Sequence, residues 1–448
     1  MRDYVLTAII FAILPVCLIK PWLGIIAWNW FGLMNPHRHT WDFAYTMPFG
    51  TLIGGATLLG ALSAGDRRPI PWNRELVLMV VLVLYFLMTT FFAWVPSVAW
   101  DQWMKVFKVV LMTLVATMFI YGQDRIRALM WTIVISIGFY GVKGFVFVLR
   151  SGGAERVQGP DNSFIEGNTF IGLAFNMVVP LMIFMAREEK RPWLRRALYG
   201  MAVATVVSTI FTYSRGAYVG LVVILPFIFL HSKAKVFAAG IIISAALIAP
   251  VVLPDKVFER ADTVESYQQD GSANQRLQSW SVAWNIARER PLTGAGFEFE
   301  YIDPARWIRY ADEKYVWANR GNHSAHSIYF QVLGQHGFVA LGLFLMLLVG
   351  TWRSLSRTKK VAPMNSESAW LATYASALQV GLVGYMVSGA FLSSAYFDLA
   401  WLFFALSAIL AREVRASRTD RYGVKPGVGA HTSGLAAVLQ QGKRATPG

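Results

Sequence analysis

The sequence predicts an all-α polytopic membrane protein of about 12 transmembrane helices, 12 or 13 by count, with one large helical loop outside the bilayer. Three observations carry this. Apolar residues make up 55% of the 448 and charged residues only 15%, a balance that soluble domains do not show. Apolar runs recur along the chain near the length a span needs, roughly 20 residues and about 17 at the short end, and in hydrocarbon such runs satisfy their backbone groups only as helices. A single polar stretch, 254–326, is long enough to build a chamber.

In chain order the runs are 4–19, 22–35, 45–62, 76–94, 103–120, 128–149, 168–186, 194–212, 217–230, 236–253, 327–351, 370–390 and 397–411. The first two are short and split by Lys20-Pro21, so they read as a shallow hairpin or as one broken span. Met1-Arg2-Asp3 leads directly into the first run with no small-residue cleavage site after it, so that helix is expected to stay in the mature protein. The organisation is thus a bundle over 1–253, the loop 254–326, further spans over 327–411, and a polar tail over 412–448. From Arg418 the tail is rich in Gly, Arg, Lys and Thr, with a weak apolar patch at 435–439, and reads as disordered.

Cations alternate between loops. Arg67, Arg68 and Arg74, then Arg125 and Arg127, Lys190 to Arg196, Lys233 and Lys235, Arg353 to Lys360, and Arg412 and Arg415 fall on loops of one parity, the cytoplasmic side by the positive-inside rule. The opposite side collects 37–44, 96–102, 151–167, the 213–216 turn, the large loop and 392–396, so the large loop is exported. Topology accounts for most of the net charge of +15, and no nucleic-acid partner is expected. The single cysteine, Cys17, excludes an intramolecular disulfide and a thiolate metal cluster.

Chemistry-bearing residues concentrate between Gln275 and Gly337. Arg276 and Arg288 lie on a stretch, 274–289, whose Leu277, Trp280, Val282, Ala283, Trp284 and Ile286 suit an amphipathic helix at the interface. Twelve positions is a little over three turns, which puts the two arginines on broadly similar faces. Arg288 is followed by Glu289 and Arg290 and reads equally as part of a solvated charge cluster. Pro291-Leu-Thr-Gly294-Ala-Gly296 ends that helix, its glycines permitting a tight turn and close backbone approach. No strand precedes it, so a dinucleotide fold is not supported.

His326 opens an apolar helix at the mouth of the chamber, where the helix dipole opposes protonation and favours the neutral imidazole of a general base. His323 competes with it. As a metal pair the two lack a carboxylate or cysteine to complete a set, so no metal and no cofactor are expected. Arg215, in Thr212-Tyr-Ser-Arg-Gly-Ala217, sits in a short exported turn where cations are unusual. It reads either as snorkelling to lipid headgroups or as a bidentate clamp for phosphate. Arg156, Asn168, Tyr213, Trp280 and Tyr329 are candidate substrate contacts, Asn168 doubling as a helix cap. Glu298, Glu300 and Asp303 are candidate orienting groups or acceptor contacts.

Arg276-Leu-x-x-Trp280, Pro291-Leu-x-Gly294-x-Gly296 and His326-Ser-x-Tyr-x-x-x-Leu333-x-x-x-Gly337, with the earlier Thr-x-Ser-Arg215-Gly-Ala, resemble the O-antigen ligase and polymerase superfamily over roughly 168–347. Pro21-Trp-Leu-Gly24 and Gly32-Leu-Met-Asn-Pro-His37-Arg38 resemble the exosortase-associated O-glycosylation ligase subgroup. The chain departs from the family pattern at Ser327 and Gln335. The resemblance implies an inner-membrane glycosyltransferase whose periplasmic loop moves glycan, with inversion and without a metal, from undecaprenyl pyrophosphate to the lipid A core. His326 would be its base, with Arg215, Arg276 and Arg288 on the donor pyrophosphate and membrane lipids around both substrates. The alternatives are an O-antigen polymerase, a protein O-glycosylation ligase, or a transporter of lipid-linked glycan. Transporters keep their sites at the midplane on broken helices, which the long exported loop does not match.

Overall fold

A computed structural model describes residues 1–230, 271–313, 322–362 and 368–422. The run at 236–253, most of the first part of the large loop and the patch at 435–439 lie outside these. The described elements are helical: α1 (Arg2–Ile19), α2 (Pro21–Met34), α3 (Phe49–Ser63), α4 (Arg74–Thr90), α5 (Pro96–Phe119), α6 (Gly122–Ser151), α7 (Gly167–Glu188), α8 (Pro192–Ile210), α9 (Arg215–Leu230), α10 (Gly271–Glu289), α11 (Pro304–Ile308), α12 (Ile328–Val361), α13 (Ala369–Gly389) and α14 (Asp398–Tyr422).

Six of these helices, α1, α5, α6, α7, α12 and α13, are long and apolar enough to cross a membrane, and α3 and α9 are shorter apolar helices. The protein is therefore a polytopic helical membrane protein. The expected 12 or 13 full crossings are not reached among the described residues. The 12 apolar runs among the described residues become helices, but α2 has 14 residues, short of a full span, α4 with 17 is at the short end, and α8, which starts at Pro192, carries Arg195 and Arg196 near its start.

Lys20 leaves the helical region and Pro21 starts α2 without a backbone donor, so the first pair is a hairpin rather than one broken span. The return brings the backbone N–H groups of Asp42 and Ala44 onto Asp3 Oδ1 at 3.1 and 3.3 Å. Small residues set the closest helix pairs. Gly138, Gly141 and Gly144 of α6 face Met201, Thr205 and Ser208 of α8, and Ser208 donates to the Gly141 carbonyl at 2.7 Å. In α13, Gly381 and Gly384 lie on the backbone of α7 at Met177 and Asn176, the small-residue packing that membrane helices use in place of a hydrophobic drive.

The loops sort into two ends. At one, Arg125 pairs with Asp66, Arg127 with Glu189 and Arg68 with Glu413. At the other, Asn162 meets Tyr45, the Val157 N–H meets the Phe211 carbonyl, and the Trp94 N–H meets the Ala295 carbonyl. Loops of equal charge parity thus share an end.

One break positions the site. Gly337 interrupts α12 at φ 77°, ψ −174°, a conformation open essentially to glycine alone. The 291–296 segment crosses α12 there: the Ala295 and Gly296 N–H groups donate to the Gly334 and Gln335 carbonyls, and the Phe338 N–H donates to the Pro291 carbonyl. Gly294, at φ 57°, rides on the same backbone, with no room for a Cβ. These glycines allow approach of backbone to backbone. Gly337→Ala should lose about 1–3 kcal/mol from backbone strain alone, plus a clash with the Pro291 carbonyl, and lower the melting temperature in detergent; an unchanged melting temperature would refute this role for the break.

Candidate functional site

His326 sits just before α12, which starts at Ile328 after the N-cap Ser327. Its own φ is 44°, uncommon for a non-glycine residue and the kind of local strain that functional turns retain. The turn is held from three sides. The His326 N–H donates to Ser393 Oγ at 2.8 Å, the Trp280 indole N–H donates to the Ala325 carbonyl at 2.7 Å, and Ser279 Oγ donates to the His323 carbonyl at 3.4 Å. Trp280 also stacks on Phe330 with centroids 4.9 Å apart. Ser324 Oγ lies 3.3 Å from His326 Nε2.

The imidazole pKa is lowered to about 4, first by burial, then by the Arg276 charge, then by His323. At neutral pH it is uncharged, the form that accepts a proton. Arg276, half-buried on α10, therefore stands close enough to act on the base. Burial also lowers His323, whose Nε2 has no hydrogen-bond partner among the described residues.

Arg215 is the first residue of α9 and half-buried. Its turn is clamped by the 153–168 loop: Asn168 Nδ2 donates to the Thr212 carbonyl at 2.8 Å and Tyr213, at φ 53°, donates its hydroxyl to the Gly153 carbonyl. Ser214 Oγ accepts from the Ala217 N–H at 3.4 Å and caps α9. Gly216 packs on Phe391, and Gly389 packs on Ile328. The 389–396 turn thus touches the Arg215 end of α9 on one side and the His326 turn on the other.

Several sequence expectations land elsewhere. Arg288 is exposed. At about 100° per residue, twelve positions leave it about 120° around the helix from Arg276, so they do not share a face. Arg156 is exposed on its loop. Asn168 does not cap α7, whose N-cap is Glu166, but ties it to the Arg215 turn. Tyr213, Trp280 and Tyr329, whose hydroxyl donates to the Met386 carbonyl at 3.0 Å, spend their polar groups on backbone carbonyls and hold the two turns in place.

Sequence reasoning missed a polar knot behind the turn. His336 lies 2.6 Å from Thr89 Oγ1 and 2.9 Å from the Tyr396 hydroxyl, which donates to Gln335 Oε1, and Phe86 and Phe297 enclose the ring. Beside it, Glu298 and Glu300 are both raised above the usual carboxylate range by burial, Glu300 further by the charge of Glu298. A cleft of about 340 Å³ opens here, lined by Gln102, Ser163, Phe164, Glu166, Phe170, Glu298, Gln331, Ser393, Ser394, Tyr396 and Phe397. Its walls come from sequence positions hundreds of residues apart, so no local pattern announces it. Among the described residues, no group of three or more His, Cys, Asp and Glu could hold a metal ion.

A half-buried histidine on a strained turn, under the influence of the Arg276 charge and next to a cleft at one end of a helical membrane bundle, is what the sequence comparisons meet. Residues 200–345 match the family described as O-antigen ligase. That segment of the chain is similar to the O-antigen ligase family. Residues 1–190 match a family of unknown function, DUF5935, and no curated protein matches the chain. The O-antigen ligase domain contains Arg215, Arg276, Arg288, His323, His326 and Tyr329, whereas Arg156 and Asn168 fall in the amino-terminal family. Ser393, which holds the His326 turn, and Tyr396, which meets His336 and Gln335, both line the cleft and lie beyond both matches.

Proposed function

We propose that the protein is an O-antigen ligase that transfers glycan from undecaprenyl pyrophosphate to a hydroxyl of the lipid A core, at the periplasmic face of the bacterial inner membrane. The observation that carries this reading is the half-buried His326 on its strained turn, tied through Ser393 to the cleft, with burial and the Arg276 charge keeping its imidazole uncharged. The acceptor O–H gives its proton to His326 as its oxygen attacks the anomeric carbon. The bond from that carbon to the pyrophosphate oxygen breaks, and the bonding pair leaves on the pyrophosphate, inverting the centre. Arg276 and Arg215 stabilise the charge that develops there, as fixed guanidinium donors do in a partly desolvated site, and no metal is required for that step. Arg288, being exposed, acts at most on the approaching donor. The same chemistry on a lipid-linked or protein acceptor makes a polymerase or a protein O-glycosylation ligase.

An anionic donor alters the base. With the pyrophosphate on Arg276, the cation that depresses His326 is compensated and the imidazole becomes a stronger base. The deciding experiment is transfer by purified protein from lipid-pyrophosphate glycan to rough lipopolysaccharide in the presence of chelator. We expect glycan-laddered lipopolysaccharide. Lengthened donor glycan with unmodified lipopolysaccharide would replace the ligase reading by polymerase, and loss of transfer in chelator would remove its metal independence.

A further inference from the structure

Resting on that reading, we infer that the 340 Å³ cleft beside His326 is the acceptor subsite, and that it takes a neutral, hydroxyl-bearing sugar ring rather than a phosphorylated one. Its lining residues include two carboxylates, Glu166 and Glu298, and no cation, so a phosphate would meet repulsion there while it meets arginines across the His326 turn. Charge thus sorts the two substrates: pyrophosphate to Arg276 and Arg215, sugar hydroxyls to the cleft.

One group in the cleft awaits a partner and another is aimed by its backbone. Ser394 is 5% exposed, and its Oγ is buried with no hydrogen-bond partner among the described residues, a state that normally calls for a ligand or water. The Glu298 side chain is presented from a backbone at φ 54°, strain that is retained where a side chain must point one way. Its carboxyl interacts with the Lys105 charge and with Glu300. Phe164, 38% exposed, and Phe170 supply the apolar faces against which a sugar ring lies, with a few polar groups fixing its orientation, the usual composition of a small-molecule site. Ser393 joins the cleft to the reaction, since it lines the wall and accepts the His326 N–H.

The wall also explains a role for the amino-terminal family. Gln102, Phe164, Glu166 and Phe170 come from residues 1–190, and Glu298 and Gln331 from the O-antigen ligase domain. The amino-terminal segment therefore contributes to the choice of acceptor, while the arginines and the histidine belong to the ligase domain.

The test uses the full-length protein in nanodiscs with core oligosaccharide released from rough lipopolysaccharide, and reads binding by calorimetry without turnover. Wild type should bind, and Glu298→Gln and Phe164→Ala should each weaken binding about tenfold. In the transfer assay the same variants should raise the acceptor KM about tenfold and leave the donor KM within twofold. Equal binding by wild type and both variants, or no binding by wild type, would overturn the subsite. Retained oligosaccharide binding without any transfer would instead overturn the catalytic reading and leave the subsite standing. Equal rises in donor and acceptor KM would show a merely structural role.

Discussion

His326→Ala should reduce glycosyl transfer about 10²–10⁴-fold, the range contributed by a positioned general base, with little change in donor binding. The argument is positional and electrostatic together. The His326 backbone N–H is held by Ser393, on the turn fixed by Trp280, and its ring lies beside Ser324, while burial keeps the imidazole uncharged. Its pH dependence follows with a definite sign. A folded pKa lowered to about 4 leaves the base neutral at and above pH 5, so kcat/KM, which reports free enzyme, should fall only as pH drops toward 4. Donor binding removes part of the Arg276 contribution, so the acid limb of kcat should lie at higher pH than that of kcat/KM. Coincident limbs would show that Arg276 and the pyrophosphate do not meet, and full activity in His326→Ala would end the assignment of the base.

Arg276→Lys should reduce kcat about 10²–10³-fold, comparable with the removal of one preorganised donor from an oxyanion site. Lysine keeps the charge but not the planar fork that matches two phosphate oxygens. This substitution separates two roles of the residue. If Arg276 acts only as a nearby cation on His326, lysine preserves the pH profile and most of the turnover. If it holds the leaving group, the acid limb stays near its place while kcat collapses. Turnover within threefold of wild type would return Arg276 to a solvated, non-catalytic position. Arg288→Lys, by contrast, should be nearly silent, because that side chain is exposed on another face of α10.

Much of the bundle was legible because lipid imposes one simple constraint. Any run that enters hydrocarbon must close its own backbone hydrogen bonds, so the 12 apolar runs among the described residues, read as helices, are helices. Lengths were less legible: where a helix stops depends on neighbours and on polar ends, and α2 falls short of a full span while α4 only reaches the short end of one. The glycines of 291–296 announce a close backbone approach, and the structure shows to what: Gly294 makes room for α12 and Gly296 for Ala93. A glycine-rich turn states only that something passes close, and the identity of the passing chain is a long-range fact.

The order of the loops, the all-helical membrane architecture, and the presence of an arginine and a histidine motif flanking one polar segment were determined by sequence alone, because helix formation in lipid and the alternation of charge are local properties. The tertiary structure alone decided which of those residues meet. It brought the Arg276 charge to bear on His326 and turned Arg288 into solvent, since rotation about a helix is fixed by the surface the helix packs on. It also spent Trp280, Tyr213 and Tyr329 on backbone carbonyls, and assembled a cleft from Glu298, Ser394 and Phe164, residues that no spacing along the chain could have joined.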